Sequence, residues 1–236
     1  MRNPSKAANL FLSLPIIVLL LNSCSKKNDE EPLVITPTVN PAPYTVQAYL
    51  LTPNDQGFNA DYYRAARATL LDLQSWYKDQ MGNGKTFVLN PVVVDTVTGL
   101  HSASWYTSNN GEISNNSPSG FFNTKYEMKQ ILGSKFDTTV YTYFVFVATG
   151  FPDETIPRGI AVQSSTNLDG LLIKGAGSNM YRGADGHALG HAFGLPEVAV
   201  PNADGIMSNG WPSYPNCVIK PWEKDSLNAS PFFQMH

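Results

Sequence analysis

Apolar and polar positions alternate along this chain with two different spacings, which predict a mixture of strands and helices. The apolar run over 140–148 is typical of a central strand that is covered on both faces. Apolar side chains that recur every three or four residues over 59–81 predict a long amphipathic helix, and Gly82 supplies its end. Other strands are predicted over 44–51, 86–95, 159–164 and 171–174, and other helices over 124–132, 182–194 and 221–228.

The order of these elements predicts an α/β or α+β fold. Strands and helices alternate as far as the helix over 124–132, three strands follow, and the chain then enters the helix over 182–194 and an irregular tail. We expect one domain in which helices pack on a sheet and the helix over 182–194 lies beneath it. Thr124 and Glu127 have the spacing of a capping box, which would start the helix that ends near Leu132.

The N-terminal part of the chain differs from the rest and is not expected to belong to the fold. Arg2 and Lys6 precede an apolar stretch over 8–21, which is too short for a comfortable membrane span and is typical of a signal peptide. The stretch is followed by LNSC, which resembles the lipobox of bacterial lipoproteins. Residues 1–23 are therefore predicted to be a lipoprotein signal peptide, and Cys24 is predicted to become the lipid-modified first residue.

The segment after the lipobox predicts a tether between a membrane and the folded domain. Residues 24–43 are charged at first and then rich in proline, which suits a flexible linker. Ser25 follows the cysteine, and this resembles lipoproteins that are sorted to the outer membrane, on its periplasmic or its outer side. An ordinary cleaved signal peptide with a chance cysteine is the alternative. Residues 44–236 are predicted to form the single folded domain.

Composition and charge narrow the class of protein. Of the 236 residues, 42% are apolar and 15% are charged, as in an ordinary globular domain. The net charge is −3, and removal of Arg2 and Lys6 with the signal peptide makes it −5. An acidic chain has no electrostatic basis for binding nucleic acid, so no such partner is expected. With Cys24 lipidated, Cys217 has no disulfide partner and is predicted to be a small buried side chain.

A pair of histidines carries the candidate chemistry. His187 and His191 lie four residues apart on a predicted helix, so both imidazoles project from one face and can share one metal ion. Gly194 provides a left-handed helix end, after which Glu197 can turn back towards the histidines. Two histidines and one glutamate are a known set of zinc ligands that leaves a fourth position for water. The alternative is two histidines that make ordinary hydrogen bonds, but the chain has only four histidines and two of them lie here.

Ala188 occupies the position that should carry the proton chemistry. In the zinc-peptidase motif a glutamate follows the first histidine and acts as the general base for the metal-bound water. A methyl group cannot accept a proton, and the loss of a positioned general base costs about 10²–10⁴-fold in rate. Asp185 lies about one turn earlier, and we interpret it as a first-turn carboxylate that the helix dipole favours, not as a replacement base.

The segment over 183–210 resembles the metzincin metallopeptidases. Their pattern is HExxHxxGxxH or HExxHxxGxxD, followed by a tight turn with a methionine beneath the metal. This chain has HALGHAFGLPE over 187–197 and GIMS over 205–208. It departs from the pattern at Ala188, where the family has its catalytic glutamate, and at Glu197, where the family has histidine or aspartate.

The resemblance implies a metal site and an architecture. It implies one zinc ion (Zn²⁺) held by His187, His191 and Glu197. Met207 carries over as the methionine of the turn beneath the metal. An α+β architecture is also implied, with a twisted mixed sheet and packed helices in an upper subdomain and a small, irregular lower subdomain with a C-terminal helix. The cleft between them would be edged by an antiparallel strand, for which residues 159–164 are the candidate.

Four functions are consistent with these residues. The first is a zinc-binding, metzincin-like lipoprotein that hydrolyses peptides weakly or not at all. The second is a working endopeptidase with an unusual base, although Tyr214 lacks the spacing of the tyrosine that stabilises an oxyanion in some metzincins. The third is a cell-surface module that holds a polypeptide or a glycan in the former cleft, and the fourth is a structural domain without metal. The sequence favours the first, and it indicates neither a substrate nor an oligomeric state.

Overall fold

The fold is described from a computed structural model, in whose described residues six strands and six α-helices are defined. The predicted signal peptide, Cys24 and the tether before residue 42 lie outside the described residues. None of the described helices is both long enough and apolar enough to cross a membrane. The described residues are 42–111, 113, 119–152, 158–198 and 204–236.

The elements follow one another much as the apolar pattern predicts. The strands are β1 (Thr45–Thr52), β2 (Lys85–Leu89), β3 (Asp95–Thr98), β4 (Thr142–Val147), β5 (Ile160–Gln163) and β6 (Phe233–Met235). The helices are α1 (Ala60–Met81), α2 (Ala103–Tyr106), α3 (Gly120–Leu132), α4 (Ser165–Leu171), α5 (Asn179–Ala192) and α6 (Pro221–Asn228).

One mixed sheet forms the centre of the described fold, in the order β5-β4-β1-β2-β6. Strand β1 pairs in parallel with β4 on one side. On its other side, β2 pairs with the first residues of β1 and β3 pairs with the last, again in parallel. In this sheet β6, at the edge, runs antiparallel to its neighbour β2. The predicted α+β fold with a mixed sheet is therefore confirmed.

The single strand predicted over 86–95 is in fact two strands. Strand β2 ends at Leu89 and β3 begins at Asp95, and each pairs with a different part of β1. Pro91 lies in the interruption. Because proline has no N–H group to donate to a strand ladder, the pairing breaks in this segment.

Helices cover both faces of the sheet. Alternate side chains of β1 point to opposite faces, so Leu50 joins the core beneath α1 and α5, whereas Leu51 joins the core beneath α2 and α3. The same alternation in β4 places Phe144 and Phe146 in the first core and Val145 in the second. Both strands are buried along their whole length, which confirms the covered strand expected from the apolar run.

Helix α1 begins and ends within a residue of the predicted bounds. The side chain of Asn59 caps its start by accepting hydrogen bonds from the N–H groups of Asp61 and Tyr62, at 2.9 and 3.2 Å. Gly82 ends the helix in the left-handed conformation, with a φ of 70°. The apolar face of α1, with Leu73 fully buried, then packs against the sheet and against α5.

Helix α3 starts four residues before the predicted helix over 124–132, and the predicted capping box is wrong. The helix begins at Gly120, and the hydroxyl of Ser119 accepts a hydrogen bond from the N–H group of Phe122 at 3.2 Å. Glu127 therefore lies inside the helix, where no free N–H group of a helix start remains for it to satisfy.

Glu127 instead anchors the segment between β3 and α3. Its carboxylate is fully buried and accepts hydrogen bonds from the N–H groups of Leu100 and His101, at 2.6 and 3.1 Å. The hydroxyl of Tyr106 also donates to it. One buried carboxylate thus satisfies three donors of a segment more than 20 residues earlier in the chain.

The strand predicted over 171–174 is also wrong. Helix α4 includes Leu171, and the chain then turns with Leu172 and Ile173 exposed. Leu168 and Leu171 are three residues apart and both buried, which is the spacing of a helix face. The apolar residues in this segment therefore follow helical periodicity up to the turn.

Replacement of Glu127 by alanine should destabilise the domain strongly. The change leaves the N–H groups of Leu100 and His101 and the hydroxyl of Tyr106 without their acceptor, so the free energy of unfolding should fall by about 3 kcal/mol. Denaturation in urea measures this change. The exposed Gln130 of the same helix is the control, because Gln130→Ala should change the free energy by less than about 0.5 kcal/mol. Equal effects of the two substitutions would contradict the role assigned to Glu127.

Candidate metal centre

Helix α5 carries the two candidate histidines. It begins at Asn179, three residues earlier than predicted. His187 and His191 share one face of this helix, with ring centroids 4.5 Å apart. Gly194 follows in the left-handed conformation, with a φ of 99°, as predicted. The chain reverses there, and this reversal brings Glu197 back to the histidines.

The three predicted ligands converge on one point. The Nε2 atoms of His187 and His191 are 3.0 Å apart, and each lies 3.1 Å from Oε2 of Glu197. Three ligand atoms about 2.1 Å from a tetrahedral zinc ion lie roughly 3.4 Å from one another, so this triangle is close to the size that one ion requires. The imidazoles are mostly buried, whereas the side chain of Glu197 is 54% exposed, so the site opens to solvent on the carboxylate side.

Backbone carbonyls orient both imidazole rings. Nδ1 of His187 donates to the carbonyl of Ile206 at 2.8 Å, and Nδ1 of His191 donates to the carbonyl of Leu195 at 3.0 Å. Because a carbonyl can only accept, each Nδ1 carries the hydrogen and each Nε2 presents a lone pair. Burial is the largest influence on the pKa of His187 and lowers it, which favours the neutral ring that binds a metal.

This arrangement of lone pairs fits a bound cation. Two Nε2 lone pairs and a carboxylate oxygen face one another at 3.0–3.1 Å, and they repel one another unless a positive charge lies between them. Two imidazoles and one carboxylate are a donor set that zinc accepts. Within the part of the chain that the structure describes, His187, His191 and Glu197 are the group of three side chains that can hold a metal ion.

The turn over 205–208 supports the helix beneath the histidines. Met207 is fully buried, and its Sδ lies so close to Gly190 that a Cβ atom at that position would overlap it. The preceding residue, Ile206, provides the carbonyl that orients His187. Met207 thus packs as a core side chain against the helix that carries the two histidines.

Glycines on α5 allow this close approach. Gly183, Gly186 and Gly190 are spaced three and four residues apart, so they share one face of the helix. A Cβ atom at Gly183 would overlap the carbonyl oxygen of Trp211, and one at Gly186 would lie 2.8 Å from Cδ1 of Ile206. Glycines at this spacing are a sequence signal that another segment packs closely against the helix backbone, and sequence analysis missed it here.

No proton acceptor takes the place of the missing glutamate among the candidates named from the sequence. Ala188 itself is 1% exposed and packs in the core. Asp185 is fully buried and accepts a hydrogen bond from Asn167 at 2.6 Å, and burial raises its pKa well above the usual range. The interpretation of Asp185 as a first-turn carboxylate is wrong, because α5 begins more than one turn earlier. The hydroxyl of Tyr214 donates to Asp72 at 2.9 Å.

The strand at the edge of the predicted cleft runs in the direction opposite to that expected. Strand β5 lies within the predicted 159–164 and at the edge of the sheet, but it pairs with β4 in parallel and not antiparallel. The N–H group of Gly159 donates to the carbonyl of Ala192 at 2.8 Å, which ties the start of β5 to the end of α5. Residues 153–157 lie outside the described residues.

The remaining histidines and the second cysteine lie away from the metal cluster. The ring of His101 stacks on Trp105 with centroids 3.8 Å apart, and its Nδ1 is 3.0 Å from Oε1 of Glu127. His236 ends the chain beside the start of β2. Cys217 is free and buried, as predicted, and burial raises its pKa to about 12.

Comparison with solved structures finds proteins of similar fold. Catalytically inactive OgpA from Akkermansia muciniphila, in complex with an O-glycopeptide (glycodrosocin) substrate, has a TM-score of 0.59 and 17% identity over 87% of this chain and 65% of OgpA. Wild-type OgpA has a TM-score of 0.59 and 16% identity over 88% of this chain and 66% of its own. Archaemetzincin from Methanopyrus kandleri has a TM-score of 0.41 and 12% identity over 79% of this chain and 96% of its own, which is too low to carry an argument. No family model and no curated protein matches the chain.

The chain has the fold of a solved protein and a candidate metal site of its own. The α+β fold is shared with OgpA over most of this chain, and three side chains are placed to hold a metal ion. The chain spans slightly less than two thirds of the length of OgpA. At these identities the likeness shows a shared fold and not a shared activity.

Replacement of Gly190 by alanine should weaken both the fold and the metal site. The added methyl group overlaps Met207, so the turn over 205–208 must move and the carbonyl of Ile206 must move away from His187. We expect the free energy of unfolding to fall by about 1–3 kcal/mol and the affinity for zinc to fall about tenfold or more. Thermal denaturation and competition with a zinc chelator measure the two effects.

Gly57 provides the control for this substitution. A Cβ atom there meets no atom within 4 Å, so Gly57→Ala should leave both quantities nearly unchanged. A Gly190→Ala protein with the stability and zinc affinity of the unmodified protein would show that Met207 does not support the site.

Proposed function

We propose that this chain is a zinc-binding, metzincin-like domain that hydrolyses peptides weakly or not at all. The observation that carries the proposal is the convergence of His187, His191 and Glu197, whose ligand atoms lie 3.0–3.1 Å from one another. Ala188, where the motif requires the general base, limits the chemistry that this site performs.

The site has the residues that peptide hydrolysis needs for holding a metal, but it lacks the residue that would transfer a proton. A bound zinc ion supplies a Lewis acid and lowers the pKa of a water to about 7. His187, His191 and Glu197 would hold the ion, and the carbonyls of Ile206 and Leu195 keep both imidazoles in the tautomer that can bind it. The chain provides no side chain at position 188 to take a proton from water and give it to the leaving amine, so hydrolysis is slow.

The ligand of the cleft is a polypeptide or a glycopeptide in this proposal. OgpA, which has a similar fold, has been solved with an O-glycopeptide substrate. Trp211 favours such a ligand, because it offers an aromatic surface near the candidate metal site. Its ring is half-buried, and the ring centroid lies 6.4 Å from that of His187. An aromatic ring with one accessible part offers a surface on which a peptide or a sugar packs.

A binding module without catalysis is the second candidate function. It is favoured by the burial of Ala188 and by the partners of Asp185, the possible replacement base, and of Tyr214, the possible oxyanion stabiliser. Asp185 is paired with Asn167, and Tyr214 is paired with Asp72. The side chains that would hold a metal are present, whereas the glutamate that would move a proton is not.

The proposal includes attachment to a bacterial outer membrane. Its support is the sequence alone: an apolar stretch over 8–21, the LNSC segment that ends at Cys24, and the proline-rich residues that follow. Lipid on Cys24 would anchor the chain, and residues 24–43 would hold the domain off the membrane surface.

Purified protein should contain about one zinc ion per chain. His187→Ala and His191→Ala should each remove most of the zinc, because two remaining ligands hold the ion poorly. Mass spectrometry of the metal content after dialysis measures this. His101→Ala is the control and should retain zinc, since His101 is paired with Glu127. Unmodified protein that holds no zinc after supplementation would refute the proposal.

Restoration of a glutamate at position 188 should increase activity. We expect zinc-loaded Ala188→Glu to hydrolyse an unstructured protein about 10²–10⁴-fold faster than the unmodified chain, in a reaction that a chelator abolishes. Ala188→Gln is the control, because it introduces a side chain of the same size without a base. Because Ala188 is buried, folding and zinc content are measured for both variants. If both fold and bind zinc but hydrolyse at the same rate, the absent base is not what limits this chain.

A further inference from the structure

Arg158 lies across the end of the metal-binding helix. A Cβ atom added at Gly194 would lie 3.2 Å from Cδ and 3.3 Å from Nε of Arg158, so the arginine stem passes directly over this glycine. The backbone beside it is held by the hydrogen bond from the N–H group of Gly159 to the carbonyl of Ala192, at 2.8 Å. These two contacts place Arg158 beside the end of α5, the helix that carries His191.

The charge of Arg158 is not neutralised by its described neighbours. Its side chain is exposed, and it forms no ion pair with any residue that the structure describes. Two other arginines behave differently, since Arg64 pairs with Asp61 at 2.5 Å and Arg182 pairs with Asp72 at 3.6 Å. The guanidinium of Arg158 is thus an exposed positive charge beside the end of α5, without an ion pair to the described residues.

Ala188 increases the positive charge of the same site. A glutamate at this position would add one negative charge close to the metal, and the alanine adds none. A divalent ion with Glu197 as its one charged ligand retains about one unit of positive charge, to which Arg158 adds another. The chain as a whole carries a net charge of −3, so this positive charge is local to the site.

We propose that Arg158 is a specificity-determining residue that selects, together with the metal, a ligand bearing a carboxylate group. This inference rests on the proposed binding of zinc. Guanidinium groups bind carboxylates through two parallel hydrogen bonds, which lysine cannot reproduce. The exposed side of Glu197 gives a ligand access to the site from solvent. Two sources present the required group, the C-terminus of a polypeptide and an acidic sugar.

Calorimetric titration of the zinc-loaded protein tests this inference with two pairs of probes. The first pair is a synthetic hexapeptide with a free C-terminal carboxylate and the same peptide as its C-terminal amide. The second pair is glucuronate and its methyl ester. We expect the charged member of at least one pair to bind about tenfold or more tightly than its uncharged partner, and the pair that shows this preference identifies the source.

Arg158→Gln should remove most of the preference for the charged probe and leave the binding of the uncharged probe unchanged. Arg67→Gln is the matched control, because it changes the net charge equally on the exposed face of α1 and should keep the preference. Circular dichroism checks that both variants fold.

Zinc content separates failure of this inference from failure of the proposed function. Protein that binds no zinc overturns the proposed function and the inference with it. Zinc-loaded protein that binds both members of each pair equally overturns the inference alone. An Arg158→Gln variant that retains zinc and the full preference for carboxylate also overturns the inference alone.

Discussion

The close contact between the turn over 205–208 and the glycine face of α5 is the interaction on which the candidate site depends. Gly190 has no side chain, so Met207 packs directly beneath the helix. The neighbouring carbonyl of Ile206 then reaches Nδ1 of His187 at 2.8 Å, and this hydrogen bond decides which ring nitrogen faces Glu197. The site is therefore a product of packing between two segments and not of the helix alone.

The groups that would bind a metal and the group that would transfer a proton belong to different parts of this structure. The ligands are positioned by the helix, the glycine turn and two backbone carbonyls, and none of these involves the side chain of Ala188. An alanine at position 188 is therefore compatible with the arrangement of the three candidate ligands. It adds no negative charge to the site, whereas a glutamate at this position would.

Sequence reasoning succeeded where the relevant contacts are local. The candidate ligands all lie within 187–197, so helix geometry and one glycine turn are enough to predict that they meet.

Sequence reasoning failed where contacts between distant parts of the chain decide the structure. Glu127 has the spacing of a capping box with Thr124, yet it accepts hydrogen bonds from a segment that precedes the helix, and Asp185 is buried against Asn167 of another helix. Periodicity also carries no information on strand direction, so the parallel pairing of β5 could not be predicted, and β6 is too short to produce a pattern.

If the site holds zinc, the hydrogen bond between His187 and Ile206 links the supply of metal to the stability of the folded domain. The two groups meet only when the turn is packed on the helix, so the folded chain would bind zinc far better than the unfolded chain. Free zinc at 100 times its dissociation constant would add about 2.7 kcal/mol to the free energy of unfolding. Scarcity of the ion in the surroundings would then act on this protein first as a loss of stability, before any change in what its cleft can bind.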